Sequence, residues 1–385
     1  MNKEKVLIVH NYYQVPGGED IVVSNEKKML EDNGHKVVLY TRHNDEIKEM
    51  GIFSKLIIPF RTIYSFKSKK EIKKLIKEEN INIVHVHNTF PLISPSVYSI
   101  GKKSKVKVIQ TVHNFRLLCP AATFVRDNKI CEDCVNKGLI SSVKHNCYRN
   151  SKVQTTISAI TLKFNRIIGS YKKVDSYIAL TEFNKNKLSY LINKEKIYVK
   201  PNYCGKLDIP ICNINERKYF IYLGRLDKLK GINLIVEAWK NIKNEELIIV
   251  GTGPEEKSLK NFVKNNNIDN VKFLGYKEKN EAMELLSKSK ALLFPTQWYE
   301  PFGLVMIEAL KLGIPVIANK IGSIPEIINS EKLGIVKSIN SAKDIEDLIL
   351  EFSNKYSQYK NIDKLFLDRY NIKENYSILK KIYDI

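Results

Sequence analysis

Short β-branched apolar segments alternate with amphipathic helical patterns along this chain. Lys5–His10 is such a segment, a helical pattern follows over about Ile21–Asn33, and Lys36–Tyr40 is the next apolar segment. A strand, a helix and a second strand in this order predict a βαβ unit with parallel strands. The fold is therefore predicted to be α/β, with helices covering a parallel sheet.

The same alternation begins again in the second half of the chain. Further strands are predicted at Ile83–His87, Val106–Thr111, Ser176–Leu180, Tyr219–Leu223, Leu247–Val250, Val271–Leu274, Ala291–Phe294 and Val316–Ala318. A length of 385 residues exceeds what one core usually organises. We therefore predict Rossmann-like, doubly wound domains at 1–200 and 214–370, joined by a linker at 201–213. A helix at 371–385 follows, and it either stays with the second domain or crosses back to the first.

The positive charge of the chain is large and unevenly distributed. There are 63 Lys and Arg against 42 Asp and Glu, a formal charge of +21, and residues 51–200 carry 28 basic against 9 acidic side chains. Such an excess favours anionic partners, among them phosphates, nucleic acid and membrane surfaces. A genome rich in Lys codons is the alternative explanation.

The sequence predicts a cytoplasmic protein, either free or peripheral on the inner face of the cell membrane. No uninterrupted apolar stretch reaches the ~18 residues that a membrane span requires, and the first residues lead directly into a strand. The segment Ile52–Phe66 places apolar and aromatic side chains between cations, as interfacial elements do. Pro59 is expected to interrupt a continuous helix there, and burial in a core is the alternative.

A loop after a strand of the second half carries residues suited to a phosphorylated ligand. Gly224–Gly231 contains Arg225 and Lys230 and opens a helix, so two cations and helix N–H groups are available to a diphosphate. A solvated basic turn is the alternative.

A second loop carries two carboxylates with a glycine between them. Glu300 follows the strand that ends at Phe294, Glu308 lies on the next helix, and Gly303 would allow close backbone approach to a ligand. A carboxylate accepts two hydroxyl hydrogen bonds, which suits a sugar or a ribose. Pairing with the helix dipole is the alternative, and it explains Glu300 better than Glu308.

These motifs resemble the retaining glycosyltransferases of family 4, whose GT-B fold has two Rossmann-like domains facing across a cleft. The resemblance extends from Gly17-Gly18 to Glu326, and Glu300-Pro301-Phe302-Gly303 with Glu308 is its most specific part. It also includes Gly251-Thr252-Gly253-Pro254 and Phe273-Leu274-Gly275. The resemblance implies that a sugar moves, with retention of configuration, from a nucleoside-diphosphate sugar to a glycan or lipid-linked acceptor in surface polysaccharide synthesis.

The resemblance also implies a role for each matching residue. Arg225 and Lys230 would neutralise the donor diphosphate, Glu308 would hold the ribose and Glu300 the transferred sugar. His113 matches the family's histidine beside the reacting sugar, although a lone histidine at a strand end is more often structural. The remaining donor-binding positions are Gly17, Gly18, Gly275, Gly303, Leu304 and Val305.

The reaction leaves a nucleoside diphosphate with added negative charge, which enzymes stabilise with a divalent metal or with fixed cations and N–H dipoles. The chain contains no Asp-x-Asp motif. Arg225 and Lys230 are therefore expected to replace a metal, and no cofactor is expected for catalysis.

Four of the six cysteines lie within 29 residues, in a loop-rich insert at about 115–150. Cys119, Cys131, Cys134 and Cys147 include one Cys-x-x-Cys step, and this pattern fits a structural tetrahedral zinc site. His145 could replace one ligand. Reduced core cysteines are the alternative.

Other functions are weighed against the glycosyltransferase. A nucleic-acid-binding protein would explain the charge, but no helix-turn-helix or RNA-binding signature occurs, so no nucleic acid is expected. A sugar-nucleotide epimerase shares the architecture and would need no acceptor. A nicotinamide dehydrogenase fits poorly, because Gly17-Gly18 lacks the dinucleotide-binding spacing.

Overall fold

The computed structural model describes residues 4–14, 17–101, 106–360, 362 and 370–384. Its chain divides into two compact units. The first comprises the residues up to Arg126, Cys131–Asn202 and the segment from Ile372 onward, and the second comprises Asp127–Ile130 and Tyr203–Asn371.

The first unit is built on a six-stranded parallel sheet. Its strands are β1 Lys5–Tyr12, β2 Lys36–His43, β3 Ile83–Val86, β4 Lys107–Thr111, β7 Ser176–Ala179 and β8 Ile197–Val199, and the short strands β5 Val125–Arg126 and β6 Lys129–Ile130 lie in the cysteine-containing insert. The helices before the second unit are α1 Gly18–Asp32, α2 Glu46–Glu49, α3 Ile52–Ile63, α4 Phe66–Glu79, α5 Asp133–Asn136, α6 Ile140–Lys144, α7 Lys152–Ile167 and α8 Glu182–Leu188. The strand order is β2-β1-β3-β4-β7-β8.

The second unit repeats the architecture with a different strand order. Its strands are β9 Tyr219–Leu223, β10 Glu246–Val250, β11 Val271–Gly275, β12 Ser289–Phe294, β13 Val316–Asn319 and β14 Gly334–Lys337. Its helices are α9 Ile232–Ala238, α10 Glu256–Asn265, α11 Lys279–Ser287, α12 Leu304–Lys311, α13 Ile324–Ile327 and α14 Ala342–Asn354. The order is β11-β10-β9-β12-β13-β14, and α15 Ile372–Tyr383 then belongs to the first unit.

Both sheets are buried on their two faces, as parallel sheets are when helices cover them. The central strand β1 has no solvent exposure from Val6 to Val9, and the β9 side chains Phe220 and Ile221 are equally buried. In each sheet the order reverses at the first strand, between β1 and β3 and between β9 and β12. Ligands of open α/β sheets bind beyond the carboxyl ends of the strands at such reversals.

The sequence-based fold class is confirmed, because both units are parallel α/β layers. For Ile52–Phe66, the expected interruption at Pro59 and the alternative of burial in a core are both wrong. Pro59 does not interrupt the helix, since α3 runs continuously from Ile52 to Ile63. The apolar side chains of α3 do not form a core either, because Thr62 is its one buried residue. Among the described residues, no helix is long and apolar enough to cross a bilayer.

Candidate active site

The loop after β9 carries Lys230 at the carboxyl end of the second sheet. Leu226 donates its backbone N–H to the carbonyl of Thr252 (2.9 Å), which ties this loop to the turn after β10. Gly231 ends the loop with a φ of 72°, and a Cβ there would lie 2.2 Å from the carbonyl oxygen of Pro295. Glycine is therefore required at this position, because the loop after β9 packs directly on the start of the loop after β12.

This packing brings Lys230 and Glu300 together, as the sequence analysis expected for one binding site. The Lys230 ammonium lies 2.5 Å from Oε2 of Glu300. The same oxygen accepts the indole N–H of Trp298 (3.0 Å), and the ammonium lies 5.0 Å from the centre of the indole ring. Two donors thus hold one carboxylate oxygen, while the other oxygen has no recorded partner among the described residues.

The N-terminus of α12 directly follows this carboxylate. Gly303 is its N-cap residue with a φ of 78°, a left-handed conformation that favours glycine. The backbone N–H groups of Leu304 and Val305 have no hydrogen-bond acceptor within the described part of the chain. Free N–H groups at the positive end of a helix dipole attract phosphate.

Glu308 lies one helical turn further along α12 and is buried. Its Oε1 accepts a hydrogen bond from the ammonium of Lys279, at the start of α11. Glu308 therefore has a cationic partner of its own and does not share the one that binds Glu300.

Arg225 and Gly275 lie on the same edge of the sheet without direct contact to Glu300. Arg225 is exposed, and its one recorded ion pair is with Asp227 at 3.9 Å. Gly275 ends β11 with a φ of 68°, and its carbonyl accepts the N–H of Gly251 (2.8 Å). An added Cβ at Gly251 would lie 1.9 Å from the Gly224 carbonyl oxygen, so the three loops are in close backbone contact.

In the first unit, His113 follows β4, which lies next to β3 in the sheet. Its Nε2 is 2.9 Å from Nδ1 of His87, and the two rings stack with centroids 5.2 Å apart. Burial, followed by the nearby His87, lowers the pKa of His113 well below its usual value. Burial and the neighbouring His85 lower the pKa of His87 to about 3. Both rings are therefore neutral at physiological pH, with one proton between the facing nitrogens.

A buried ion pair lies next to these histidines. Glu26 lies 2.8 Å from Nδ1 of His85 and 3.3 Å from Nε2 of His87, and its other oxygen lies 2.8 Å from the ammonium of Lys200. Burial acts to raise the pKa of Glu26, but Lys200 and His85 outweigh it and hold the pKa well below its usual range. Glu26 and Lys200 therefore form a charged pair next to the two imidazoles.

Gly17 and Gly18 directly precede Glu19, a further carboxylate of the first unit. Gly17 is the N-cap of α1, and Gly18 is the first residue of the helix. Glu19 accepts hydrogen bonds from the side-chain amides of Asn88 (3.0 Å) and Asn114 (3.4 Å). Burial, together with the charge of the adjacent Asp20, raises the pKa of Glu19 to about 7. The first turn of α1 thus presents a titratable carboxyl near the residues that flank His113.

A pocket opens beside His113 and is lined by residues of the segment that follows β3, by the end of β4 with the loop after it, and by α7. The guanidinium of Arg116 lies 4.1 Å from the centre of the Phe90 ring and 5.0 Å from that of Tyr148. Its NH1 group donates to the carbonyl of Pro120 (3.1 Å). An arginine held between two rings at the mouth of a pocket can bind hydroxyl or anionic groups.

The cysteine insert places Cys119 next to Cys134. The hydrogen bond from Cys134, together with backbone N–H groups of residues 121, 123 and 124, lowers the pKa of Cys119 to about 6, while the same contact and burial raise the pKa of Cys134. Within the described residues, two groups of metal-ligating side chains are close enough to share an ion, and neither contains a cysteine. No disulfide joins any of the six cysteines, and the zinc site stays a prediction.

The sequence analysis did not single out Glu19, Glu26, His87, Trp298 or Lys279. Two of them carried a usable signal. Glu19 directly follows Gly17-Gly18, and His87 occurs with His85 at alternate positions of one strand. Glu26 and Lys279 are distant in sequence from the groups that they contact, whereas Trp298 lies two residues before Glu300.

Two family models match the chain over most of its length. One is described as glycosyl transferases group 1 and matches residues 208–365, and the other is glycosyltransferase family 4 and matches residues 16–203. An uncharacterized glycosyltransferase of Methanocaldococcus jannaschii is 25% identical over 389 residues, covering 99% of this chain and 98% of the relative. An uncharacterized 42.6 kDa protein in the cps region of Klebsiella pneumoniae is 25% identical over 332 residues, covering 84% and 80%.

Among solved structures, Anabaena HepE in complex with UDP-glucose superposes with a TM-score of 0.67 at 14% identity, covering 99% of this chain and 100% of that one. The architecture is therefore that of the GT-B glycosyltransferases. The chain belongs to the group 1 glycosyltransferases of family 4 and has glycosyltransferase activity. The epimerase and the nucleic-acid-binding protein are not favoured by these comparisons.

Proposed function

We propose that the protein is a metal-independent retaining glycosyltransferase that transfers a sugar from a nucleoside diphosphate to a glycan or lipid-linked acceptor of surface polysaccharide synthesis. In this proposal the second unit binds the donor and the first unit binds the acceptor. UDP is one candidate nucleotide, since HepE was solved with UDP-glucose. A polysaccharide acceptor is consistent with the relative in the Klebsiella cps region.

The observation that carries the proposal is the convergence of Lys230, Glu300 and the N-terminus of α12 at the reversal between β9 and β12. Lys230 and the N–H groups of Leu304 and Val305 form a fixed anion site for the diphosphate. The exposed side chain of Arg225 adds a second cation at the same sheet edge. Because these groups supply positive charge without a metal, the departing diphosphate is stabilised by the protein itself.

The two carboxylates have separate duties in this proposal. Glu308 accepts hydrogen bonds from the ribose hydroxyls, and the free oxygen of Glu300 accepts them from the transferred sugar. Lys230 and Trp298 hold the other oxygen of Glu300, so the carboxylate is oriented before the donor binds. Gly17, Gly18 and Gly275 leave space for the backbone to approach the phosphates.

His113 contributes a neutral imidazole from the first unit. Because its Nε2 faces His87, its Nδ1 remains available for a sugar hydroxyl. The acceptor oxygen bonds to the anomeric carbon on the face from which the phosphate departs. The bond from that carbon to the phosphate oxygen breaks, and this oxygen takes the acceptor's proton. Configuration is thereby retained without a protein nucleophile.

A panel of sugar nucleotides tests the proposal, with thermal stabilisation and release of nucleoside diphosphate as readouts. Lys230→Ala should lower kcat/KM for the preferred donor about 10²- to 10³-fold, as loss of one transition-state donor does elsewhere. Lys228→Ala is the matched control, because Lys228 is an exposed lysine of the same turn. Added Mg²⁺ or Mn²⁺ should leave the activity unchanged, because no divalent ion is needed at the diphosphate. Parent-like activity of Lys230→Ala, or activity that depends on added Mg²⁺ or Mn²⁺, would contradict the proposal.

A further inference from the structure

We propose that α3, with the adjoining surfaces of α4 and α7, docks the first unit onto an anionic phospholipid bilayer. The inference begins with the five large apolar side chains that α3 exposes. Phe53 is 84% exposed, Ile52 77%, Phe60 72%, Leu56 64% and Ile57 46%. At 100° per residue these positions occupy an arc of about 140°, so they form one continuous face of the helix, here called the α3 face.

The α3 face is presented by a helix that is fixed to the unit from its other side. Asn165 of α7 donates its side-chain amide to the carbonyl of Ile63 (2.9 Å). Thr62, which is buried, packs inward and donates to the carbonyl of Ile58 (2.9 Å). The exposure is therefore a property of a folded, anchored helix. Apolar patches of this kind on a folded surface mark interaction or membrane sites.

The apolar surface continues beyond α3. The Tyr64 ring lies 4.8 Å from the ring of Phe66 and 6.3 Å from that of Phe164, measured between centroids. Phe66 is 78% exposed, and Ile167 of α7 is 71% exposed. The first turn of α4 and the outer side of α7 thus extend the α3 face.

Cations border this apolar surface. Lys70, Lys73 and Lys77 follow Phe66 at helical spacing, so they lie on the same side of α4 as its exposed ring. All three are exposed, and none makes an ion pair with another described residue. Lys55 adds a cation within α3 itself. Lysines beside an apolar helical face complement anionic headgroups above an acyl layer.

The positive charge beside the α3 face favours a bilayer over a second copy of the chain as the partner of this surface. Two copies meeting through this surface would bring like-charged lysine stripes together, which is unfavourable. An anionic bilayer instead supplies apolar and negative partners at once. This inference does not rest on the donor chemistry, because vesicle binding requires no sugar nucleotide.

Co-sedimentation with vesicles tests it. The parent chain should bind vesicles of equimolar phosphatidylcholine and phosphatidylglycerol at low salt, and should bind phosphatidylcholine vesicles weakly. Each basic residue near an anionic surface contributes about 1 kcal/mol to binding. Replacing Lys70, Lys73 and Lys77 with Gln should therefore lower the partition coefficient roughly a hundredfold. Phe53→Ser with Phe60→Ser should abolish binding that persists at high salt.

The matched control replaces Lys240, Lys257 and Lys264 with Gln. These three lysines are exposed on the second unit. Their replacement removes the same charge from the protein, so this variant should bind vesicles like the parent. Unchanged melting temperatures of all variants show that folding is intact. The proposal is overturned if the parent does not bind anionic vesicles, or if both lysine variants lose binding equally. It is also overturned if the parent is a dimer that Phe53→Ser dissociates, because the α3 face would then be a contact between copies.

Discussion

The two carboxylates of the second unit are held by different partners. Lys230 and Trp298 hold Glu300, whereas Lys279 holds Glu308. A substitution at one should therefore leave the other oriented. This separation makes their proposed duties distinguishable.

Glu308→Gln is expected to weaken binding of both the free nucleoside diphosphate and the sugar nucleotide, because both contain the ribose. Glu300→Gln is expected to weaken binding of the sugar nucleotide alone. A lost hydrogen bond to a charged group is worth about 1.5–3 kcal/mol, so the affinity losses should be at least tenfold. Calorimetry with both ligands measures this, and Glu281→Gln on α11 is the control. Equal losses of affinity for the two ligands in both variants would contradict the assignment of Glu308 to the ribose and Glu300 to the transferred sugar.

The raised pKa of Glu19 predicts a pH-dependent stability. The pKa rises from 4.5 to about 7 because the carboxyl is buried beside Asp20. The folded state thus binds this proton more tightly than the unfolded state does. The resulting stability is fully present below about pH 4.5 and is lost as the pH rises through 7.

The parent should lose stability as the pH rises from 5 to 8, whereas Glu19→Gln should not. The melting temperature of Glu19→Gln should therefore rise relative to that of the parent, by about 2–4 °C for each kcal/mol of stability that the parent loses. Scanning calorimetry over this pH range measures the difference. Glu31→Gln removes an exposed carboxylate from the same helix, and its difference from the parent should be constant. A pH-independent difference for Glu19→Gln would show that Glu19 is not the titrating group.

The cysteine insert carries a spacing that is typical of structural zinc sites. Cys119, Cys131, Cys134 and Cys147 lie within 29 residues and include one Cys-x-x-Cys step. Protein purified without chelator is expected to contain about one zinc per chain. Replacing Cys131 and Cys134 together with Ser should remove it, whereas Cys212→Ser should not. Elemental analysis decides the matter, and a zinc-free parent would contradict the prediction.

The elements themselves were largely predictable where hydrophobic periodicity was strong. Tyr219–Leu223, for example, was predicted with its observed bounds. β8 and β14 were missed, because strands of three and four residues at the sheet edges carry too little apolar pattern. Pro59 misled the prediction for α3, because the helix continues through the proline and is tied to α7 at its C-terminal end.

The candidate site was predictable only in part, for a reason that belongs to the whole molecule. Local motifs indicated Lys230, Glu300 and His113, because each follows a strand. Partners such as Glu26 and Lys200 are 174 residues apart, and only the complete sheet brings them together. A long-range pair of this kind leaves no pattern in a single sequence.

The chain also returns to its first unit after the second sheet is complete, since α15 belongs to the first unit. There, Asn375 accepts a hydrogen bond from the ammonium of Lys200 (3.1 Å) and donates its amide to the carbonyl of Pro201 (2.5 Å). Lys200 is 2% exposed and is also paired with Glu26. The last helix thus completes the environment of the buried ion pair beneath the histidines.

Asn375→Leu should therefore destabilise the first unit. It removes an acceptor from the buried ammonium of Lys200, at about 1–3 kcal/mol, and a donor from the half-buried carbonyl of Pro201. The melting temperature should fall by several degrees, and proteolysis should release the C-terminal helix sooner. Lys380→Ala, at an exposed position of the same helix, should match the parent. If Asn375→Leu melts and is cleaved like the parent, α15 is not needed to hold Lys200 and Glu26 in place.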